Sequence, residues 1–277
     1  MSKIFEKLLE DFKKANLAAK EKLAAKYGFS STSEYLKYLE SQIAVDTALV
    51  EVKTTTPKTK KKTKVVERIT VHNVHILDAS GSMSGPKFNA ALTGINKEVE
   101  EMRKDNSTDV TQTVVHFSDP YDIQTAFWKT PLGKVGTFHA VTRGSTALLQ
   151  TVGETLTKLL SEANGKDKVL VKIFTDGQEN STAMNSPWRS TKAVADLIKE
   201  CEAKGFTITF VGTEEDVAYV IRLLSVDKTN TLSHKNTAES IGATYMMSTV
   251  ATAKFRSSAS RGEDVSRGFY SKETGTL

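Results

Sequence analysis

The chain has 277 residues, 39% of them hydrophobic and 26% charged, with a net charge of +5. That leaves room for one large domain plus an appendage in the proportions of an ordinary globular chain. No apolar run approaches the roughly 18 residues that a membrane-spanning helix needs. The single cysteine, Cys201, excludes an internal disulfide and makes a reducing, cytoplasmic setting the expectation.

The chain opens Met1-Ser-Lys-Ile-Phe-Glu-Lys7, charged and without the apolar stretch of a secretory signal, so none is expected. Residues 3–26 predict an amphipathic helix, because Phe5, Leu8, Leu9, Phe12, Ala19 and Leu23 recur at helical spacing. Gly28 is its expected C-cap. A second helix is predicted from Ser31, with Glu34 completing a capping box and Tyr35, Leu36, Leu39 and Ile43 as its apolar stripe. Residues 1–50 thus read as a small helical hairpin appended to the main domain.

Residues 51–66 read as a linker. It carries Lys58, Lys60, Lys61, Lys62 and Lys64 among threonines and has almost no apolar residue. Such a run is a solvated tether or an electrostatic contact to nucleic acid or an acidic partner. Residues 1–64 hold 14 lysines against 8 acidic residues, a charge of +6, so the rest of the chain nets −1. The basic character belongs to the arm, which weakens any case for nucleic-acid binding by the main domain.

From residue 67 to 255, β-branched runs alternate with helical patterns. Strands are predicted at 68–77, 110–117, 123–128, 168–174 and 206–212, and helices at 86–104, 145–163, 187–204, 214–224 and 237–255. Alternation of this kind predicts an α/β fold, a doubly wound, mostly parallel sheet with helices on both faces. The run 123–128 follows a turn too short to hold a helix and is expected to pair antiparallel at an edge. Residues 256–277 are polar and read as a flexible tail, with Phe269 and Tyr270 exposed in it.

The first predicted strand ends in Asp78-Ala-Ser80-Gly-Ser82, and Gly85-Pro86 opens a helix directly after it. One carboxylate and two hydroxyls are all hard oxygen donors, a set suited to Mg²⁺ or Mn²⁺ rather than zinc. Asp176 follows the strand 168–174 in Phe174-Thr175-Asp176-Gly177, and Thr146 lies at a helix start in Gly144-Ser145-Thr146-Ala147-Leu148. In an open α/β sheet, ligands bind beyond the carboxyl ends of the strands, so one fold can join all three segments. Taken alone, Asp78 and its serines are ordinary helix-capping residues. Thr142 competes with Thr146 as the threonine donor.

Other chemistries lack their residues. Gly81 and Gly85 have hydrolase-elbow spacing, but Met83 stands where the nucleophile belongs. No phosphate-cradling glycine loop occurs. His72 and His75 fall on opposite faces of a strand, and Cys201 lies on an apolar helix face.

The set Asp78, Ser80, Ser82, Thr146 and Asp176 resembles the metal-ion-dependent adhesion site of the von Willebrand factor A domain, a Rossmann-like α/β fold. The run Thr175-Asp-Gly-Gln-Glu-Asn-Ser181 and the later Gly205–Thr213 segment are similar to stand-alone A domains of bacteria and their phages. The resemblance implies that Ser80 and Ser82 bind a divalent cation, Mg²⁺ or Mn²⁺, through their hydroxyls. It implies that Asp78 and Asp176 help to hold the cation, often through water, and that Thr146 is a ligand in one state. One coordination position is then open for an Asp or Glu of a protein partner. The expected function is a metal-dependent protein interaction module and not an enzyme. The alternatives are a nucleic-acid-binding protein of Ro type, using the basic linker, and a metal-dependent hydrolase, for which no nucleophile or base is evident.

Overall fold

The computed structural model describes residues 10, 12–26, 31–33, 36 and 68–270. The chain divides into two compact units, Met1–Glu67 and Arg68–Leu277.

In the first unit, the predicted helix 3–26 is interrupted among its described residues. Residues 12–14 are helical, Ala15 and Asn16 are not, and α1 then runs Leu17–Lys26. Asn16 is the reason. Its Oδ1 accepts from the Ala19 backbone N–H at 3.0 Å, so a side chain favoured at helix N-caps starts a new helix inside the apolar stripe. The second predicted helix and the lysine linker lie almost wholly outside the described residues.

The second unit carries a sheet of six strands: β1 (Thr70–Asp78), β2 (Asp109–Phe117), β3 (Ile123–Pro131), β4 (Lys168–Phe174), β5 (Phe206–Gly212) and β6 (Thr231–Ser233). Their order is β3-β2-β1-β4-β5-β6, with β3 antiparallel at one edge and all other pairs parallel. This is the expected doubly wound α/β fold. β5 is buried along its whole length, as a central parallel strand covered on both faces must be. The three-residue β6 is too short to leave a periodic signal in sequence, and it was not expected.

Five helices flank the sheet: α2 (Pro86–Arg103), α3 (Leu148–Ser161), α4 (Thr191–Ala203), α5 (Glu214–Leu224) and α6 (Ala238–Ser260). Alternating side chains of β1 divide the core in two. Val71 and Leu77 pack with Phe88 and Ile95 of α2 and Tyr245 and Phe255 of α6. Val74 and Ile76 pack with Leu148, Val152 and Leu156 of α3, Ile198 of α4 and Val220 of α5.

Two helices begin later than predicted. Pro187 opens a 3-10 turn, Pro187–Arg189, capped by Ser186, and α4 starts only after the extended Ser190. Residues 145–147 stay outside the helix ahead of α3, with Ala147 as its N-cap, and deliver Thr146 to the site. Trp188 packs on α3 at Gly153, where an added Cβ would fall 2.2 Å from its ring.

The largest correction concerns the end of the chain. α6 continues to Ser260, and Val265, Phe269 and Tyr270 are buried in the core rather than exposed in a tail. The backbone N–H of Phe269 donates to Asn230 Oδ1 at 3.0 Å, and that of Tyr270 donates to the Thr229 carbonyl at 3.0 Å. Three apolar side chains spaced through a polar stretch show no period, yet each fills a place on the α6 face of the core.

Candidate metal centre

β1 is the switch point of the sheet, since the chain proceeds to β2 on one side and to β4 on the other. Leu77 of β1 pairs with Phe174 of β4, so the residues just beyond, Asp78 and Thr175-Asp176, meet in the crevice between the two strand ends. Gly85, at φ +79°, turns the chain from the Asp78 loop into α2, with Pro86 as the first helical residue.

Asp78 is fully buried. Its Oδ1 accepts from the Ser80 backbone N–H at 2.7 Å and its Oδ2 from the Thr175 hydroxyl. Burial pushes the Asp78 carboxyl up to about 6, against the downward pull of the bonds from Thr175 and Ser80. A cation beside it would favour the ionised form. Ser80 Oγ and Ser82 Oγ are 3.0 Å apart, and Ser82 Oγ donates to Asp176 Oδ1 at 2.7 Å. Adjacent ligands of an octahedral ion with bonds of roughly 2.0–2.1 Å are about 2.9 Å apart. These spacings are those of hydrogen bonds, and they keep the same oxygens close enough together to share such an ion.

Thr146 is buried. Its backbone N–H donates to Asn180 Oδ1 at 2.9 Å, and its carbonyl accepts from the Asn180 N–H at 3.0 Å. The loop after β4 also caps α3: Glu179 Oε2 accepts from the Leu149 N–H at 2.8 Å and Thr182 Oγ1 from the Gln150 N–H at 3.2 Å. The Thr146 hydroxyl is thereby brought toward Gly177. A Cβ added to Gly177 would lie 3.5 Å from Ser82 Oγ and 3.6 Å from Thr146 Oγ1. Glycine thus leaves a small cradle open between two donor hydroxyls.

Two backbone bonds join the remaining loops. Gly81 N–H donates to the Gly144 carbonyl at 3.1 Å and Arg143 N–H to the Ala79 carbonyl at 2.7 Å. Thr142 instead bonds Ser84 at 2.8 Å, in an exposed position.

The structure therefore brings Asp78, Ser80, Ser82, Thr146 and Asp176 into one loop cluster. Among the described residues no group of three His, Cys, Asp or Glu is placed to hold a metal. The candidate centre is of another kind, with two carboxylates and three hydroxyls. Sequence reasoning missed Thr175 as a partner of Asp78, and it missed Lys87. Lys87 Nζ lies 2.5 Å from Asp176 Oδ2 and donates to Asn236 Oδ1 at 2.9 Å. The dense polar run 175–182 was the available signal for the first; nothing local marks Lys87. His72 bonds Thr111 and Asp167 on one sheet face, while His75 faces Glu98 on the other. The lysines of the linker, Lys58 to Lys64, lie outside the described residues.

A mostly parallel doubly wound sheet with hydroxyl and carboxylate oxygens gathered at its switch point defines an α/β domain with a surface site built from strand-end loops. The chain belongs to the von Willebrand factor type A domain family, whose model matches residues 74–245. Domains of this family commonly mediate protein–protein interaction or adhesion. No curated protein is significantly similar to the chain in sequence. Among solved structures, the pilus adhesin SpaC from Lactobacillus rhamnosus GG is similar in two crystal structures. One, in the open conformation, has a TM-score of 0.52 and 16% identity; the other has a TM-score of 0.53 and 15% identity. Each match covers 70% of this chain and 31% of the adhesin, so the likeness is one of fold over under a third of that protein. Proximal thread matrix protein 1 from the mussel byssus is more distant, with a TM-score of 0.47 and 15% identity over 65% of this chain and 47% of that one.

Proposed function

We propose that the domain is a divalent-metal-dependent protein interaction module, in which Asp78, Ser80, Ser82, Thr146 and Asp176 form a metal-ion-dependent adhesion site. The observation that carries this reading is the convergence of the Ser80, Ser82 and Thr146 hydroxyls with Asp176 at one strand-end crevice beside the buried Asp78. Mg²⁺ or Mn²⁺ bound there would act as a Lewis acid toward an incoming oxygen ligand. Ser80, Ser82 and Thr146 would present hydroxyls to the ion. Asp78 holds the loop through Ser80 N–H and Thr175, and Asp176 orients Ser82. Because the direct donors would be neutral hydroxyls and the two carboxylates would act mostly through them and through water, a divalent ion would keep residual positive charge and be receptive to an Asp or Glu from a protein partner.

In this reading the domain is not an enzyme. His116 packs against the Phe138 ring, His234 stacks on Phe174, and the Cys201 thiol is buried and pushed up to about 12. No hydrogen-bonded pair of nucleophile and base joins these groups. A cytoplasmic setting belongs to the same proposal and rests on the single, buried cysteine.

The test is a pull-down from bacterial lysate with Mg²⁺, with EDTA, and with Asp78→Ala and Thr146→Ala. Partners recovered only with Mg²⁺ and intact residues support the proposal. The same partners under all four conditions would remove the site from the interaction. Capture that is insensitive to EDTA but lost with rising salt would instead favour nucleic acid bound by the lysine linker.

A further inference from the structure

Lys87 stands in the first turn of α2, directly after Pro86. A cation there opposes the helix macrodipole, whose positive end lies at the N-terminus. No acidic residue occupies that turn to offset it. Its compensation comes from far away in sequence: Asp176 Oδ2 at 2.5 Å and Asn236 Oδ1 at 2.9 Å. The Lys87 side chain is one-fifth exposed and that of Asp176 is fully buried, so solvent screens the pair poorly. Because Ser82 takes Oδ1, both oxygens of Asp176 are engaged, one by a donor hydroxyl and one by an ammonium.

We propose that Lys87 is a tethered counter-cation of the metal centre, which competes with the divalent ion for Asp176 and thereby weakens its binding. The inference rests on the metal reading above. With Lys87 in place, the two carboxylates of the site carry a net charge of −1 rather than −2. A divalent ion that binds beside Asp176 must either displace the ammonium from Oδ2 or share the carboxylate with it. Both cost affinity, because like charges a few ångströms apart repel strongly where the effective dielectric is about 20. Asn236 gives the competitor its bias, since it holds Nζ over Asp176 from the loop that leads into α6. The metal threshold of the site is therefore set by one flexible side chain and by the segment that anchors it.

The experiment is a Mn²⁺ titration of the full chain, followed by calorimetry and by the electron paramagnetic resonance signal of free Mn²⁺. It compares the wild type with Lys87→Met, Lys87→Arg, Asn236→Ala and Asp176→Asn. Lys87→Met is expected to tighten Mn²⁺ binding about tenfold or more. Lys87→Arg should stay near the wild type, Asn236→Ala should fall between, and Asp176→Asn should bind weakest. A second readout is thermal stability. Lys87→Met should melt below the wild type in EDTA, where Asp176 has lost its ammonium, and should gain more from Mn²⁺ than the wild type does. Equal or weaker Mn²⁺ binding by Lys87→Met would overturn the competition while leaving the metal reading intact. If neither the wild type nor Lys87→Met binds Mn²⁺, the metal reading fails and the inference falls with it. Should Lys87→Met fail to fold, Asn236→Ala carries the test, and unchanged affinity in it overturns the proposal.

Discussion

Ser82 and Asp176 are joined by a 2.7 Å hydrogen bond across 94 positions of sequence. The bond links the loop after β1 to the loop after β4, at the point where the strand order reverses. It depends on the pairing of Leu77 with Phe174, which sets the two strand ends level. A shift of either strand by one residue would turn its side chains to the other face and part the two groups.

The two candidate threonines should separate cleanly. Thr146 is buried beside Gly177, whereas Thr142 bonds Ser84 in an exposed position. Thr146→Ala should weaken Mn²⁺ binding by about tenfold or more, the size usual for loss of a metal-site group. Thr142→Ala should leave it within about twofold. Calorimetric titration of both variants decides the matter, and the opposite order would reassign the donor.

Gly177→Ala probes the cradle. The added methyl would meet Ser82 Oγ at 3.5 Å and Thr146 Oγ1 at 3.6 Å, which is ordinary contact, so the fold should tolerate it. We expect a melting temperature near that of the wild type together with weakened Mn²⁺ binding. Loss of both would point to a folding role, and loss of neither would show that the space is not used.

A second buried polar group lies beneath α2 and α6. Lys172 of β4 contacts Glu98 of α2, whose other oxygen lies 3.1 Å from His75 Nε2, and Thr252 of α6 donates to Glu98 at 2.7 Å. Burial alone would raise the Glu98 carboxyl, but the Lys172 ammonium beside it holds it well below the usual carboxylate range. Lys172→Met, which strands Glu98, should cost about 3–5 kcal/mol in urea denaturation. The double variant Glu98→Gln, Lys172→Met should cost less than the sum of the single changes, with a coupling of about 1 kcal/mol or more.

Acid should destabilise the fold through its histidines. Burial is the main cause that lowers His72, His75, His116 and His234 below the ordinary imidazole value. The unfolded chain then binds more protons than the native one as pH falls through roughly 6.5, so stability present above that value is lost below it. Urea midpoints should drop between about pH 7.5 and pH 5.5, and His75→Gln should shrink that drop. A midpoint that rises on acidification would contradict the assignment.

α2 and α6 approach closely at Gly94. A Cβ there would fall 2.3 Å from Tyr245 Cγ, so the ring lies directly on the helix backbone. Gly94→Ala should destabilise by about 1–3 kcal/mol through overpacking, despite the better helix propensity of alanine. Urea denaturation measures this, and a stabilised variant would mean that the two helices can separate without cost.

Much of the fold was legible because its signals are local. β4 and β5 are short runs dominated by β-branched and aromatic residues, and Gly85-Pro86 announces α2 within a residue. The interrupted first helix was not legible, because Asn16 sits within a stripe whose spacing continues across it. Nor was the burial of Phe269 and Tyr270, whose partners Asn230 and Thr229 lie about forty residues earlier and are brought there by β6. β6 has three residues and no period to read.

The candidate site divides in the same way. Asp78, Ser80 and Ser82 declare themselves by spacing at the end of a strand, since the chemistry of a hard cation selects oxygen donors and the turn places them together. By itself, then, the sequence determined the α/β class, five of the six strands and the kind of donors at their ends. Tertiary structure alone decided which distant groups complete them: Thr175 on Asp78, Asp176 on Ser82, and Lys87 set over Asp176 by Asn236. Hydrogen bonds and ion pairs act over about three ångströms, and only the register of β1 against β4 and the placement of α2 and α6 bring residues so far apart in the chain within that reach.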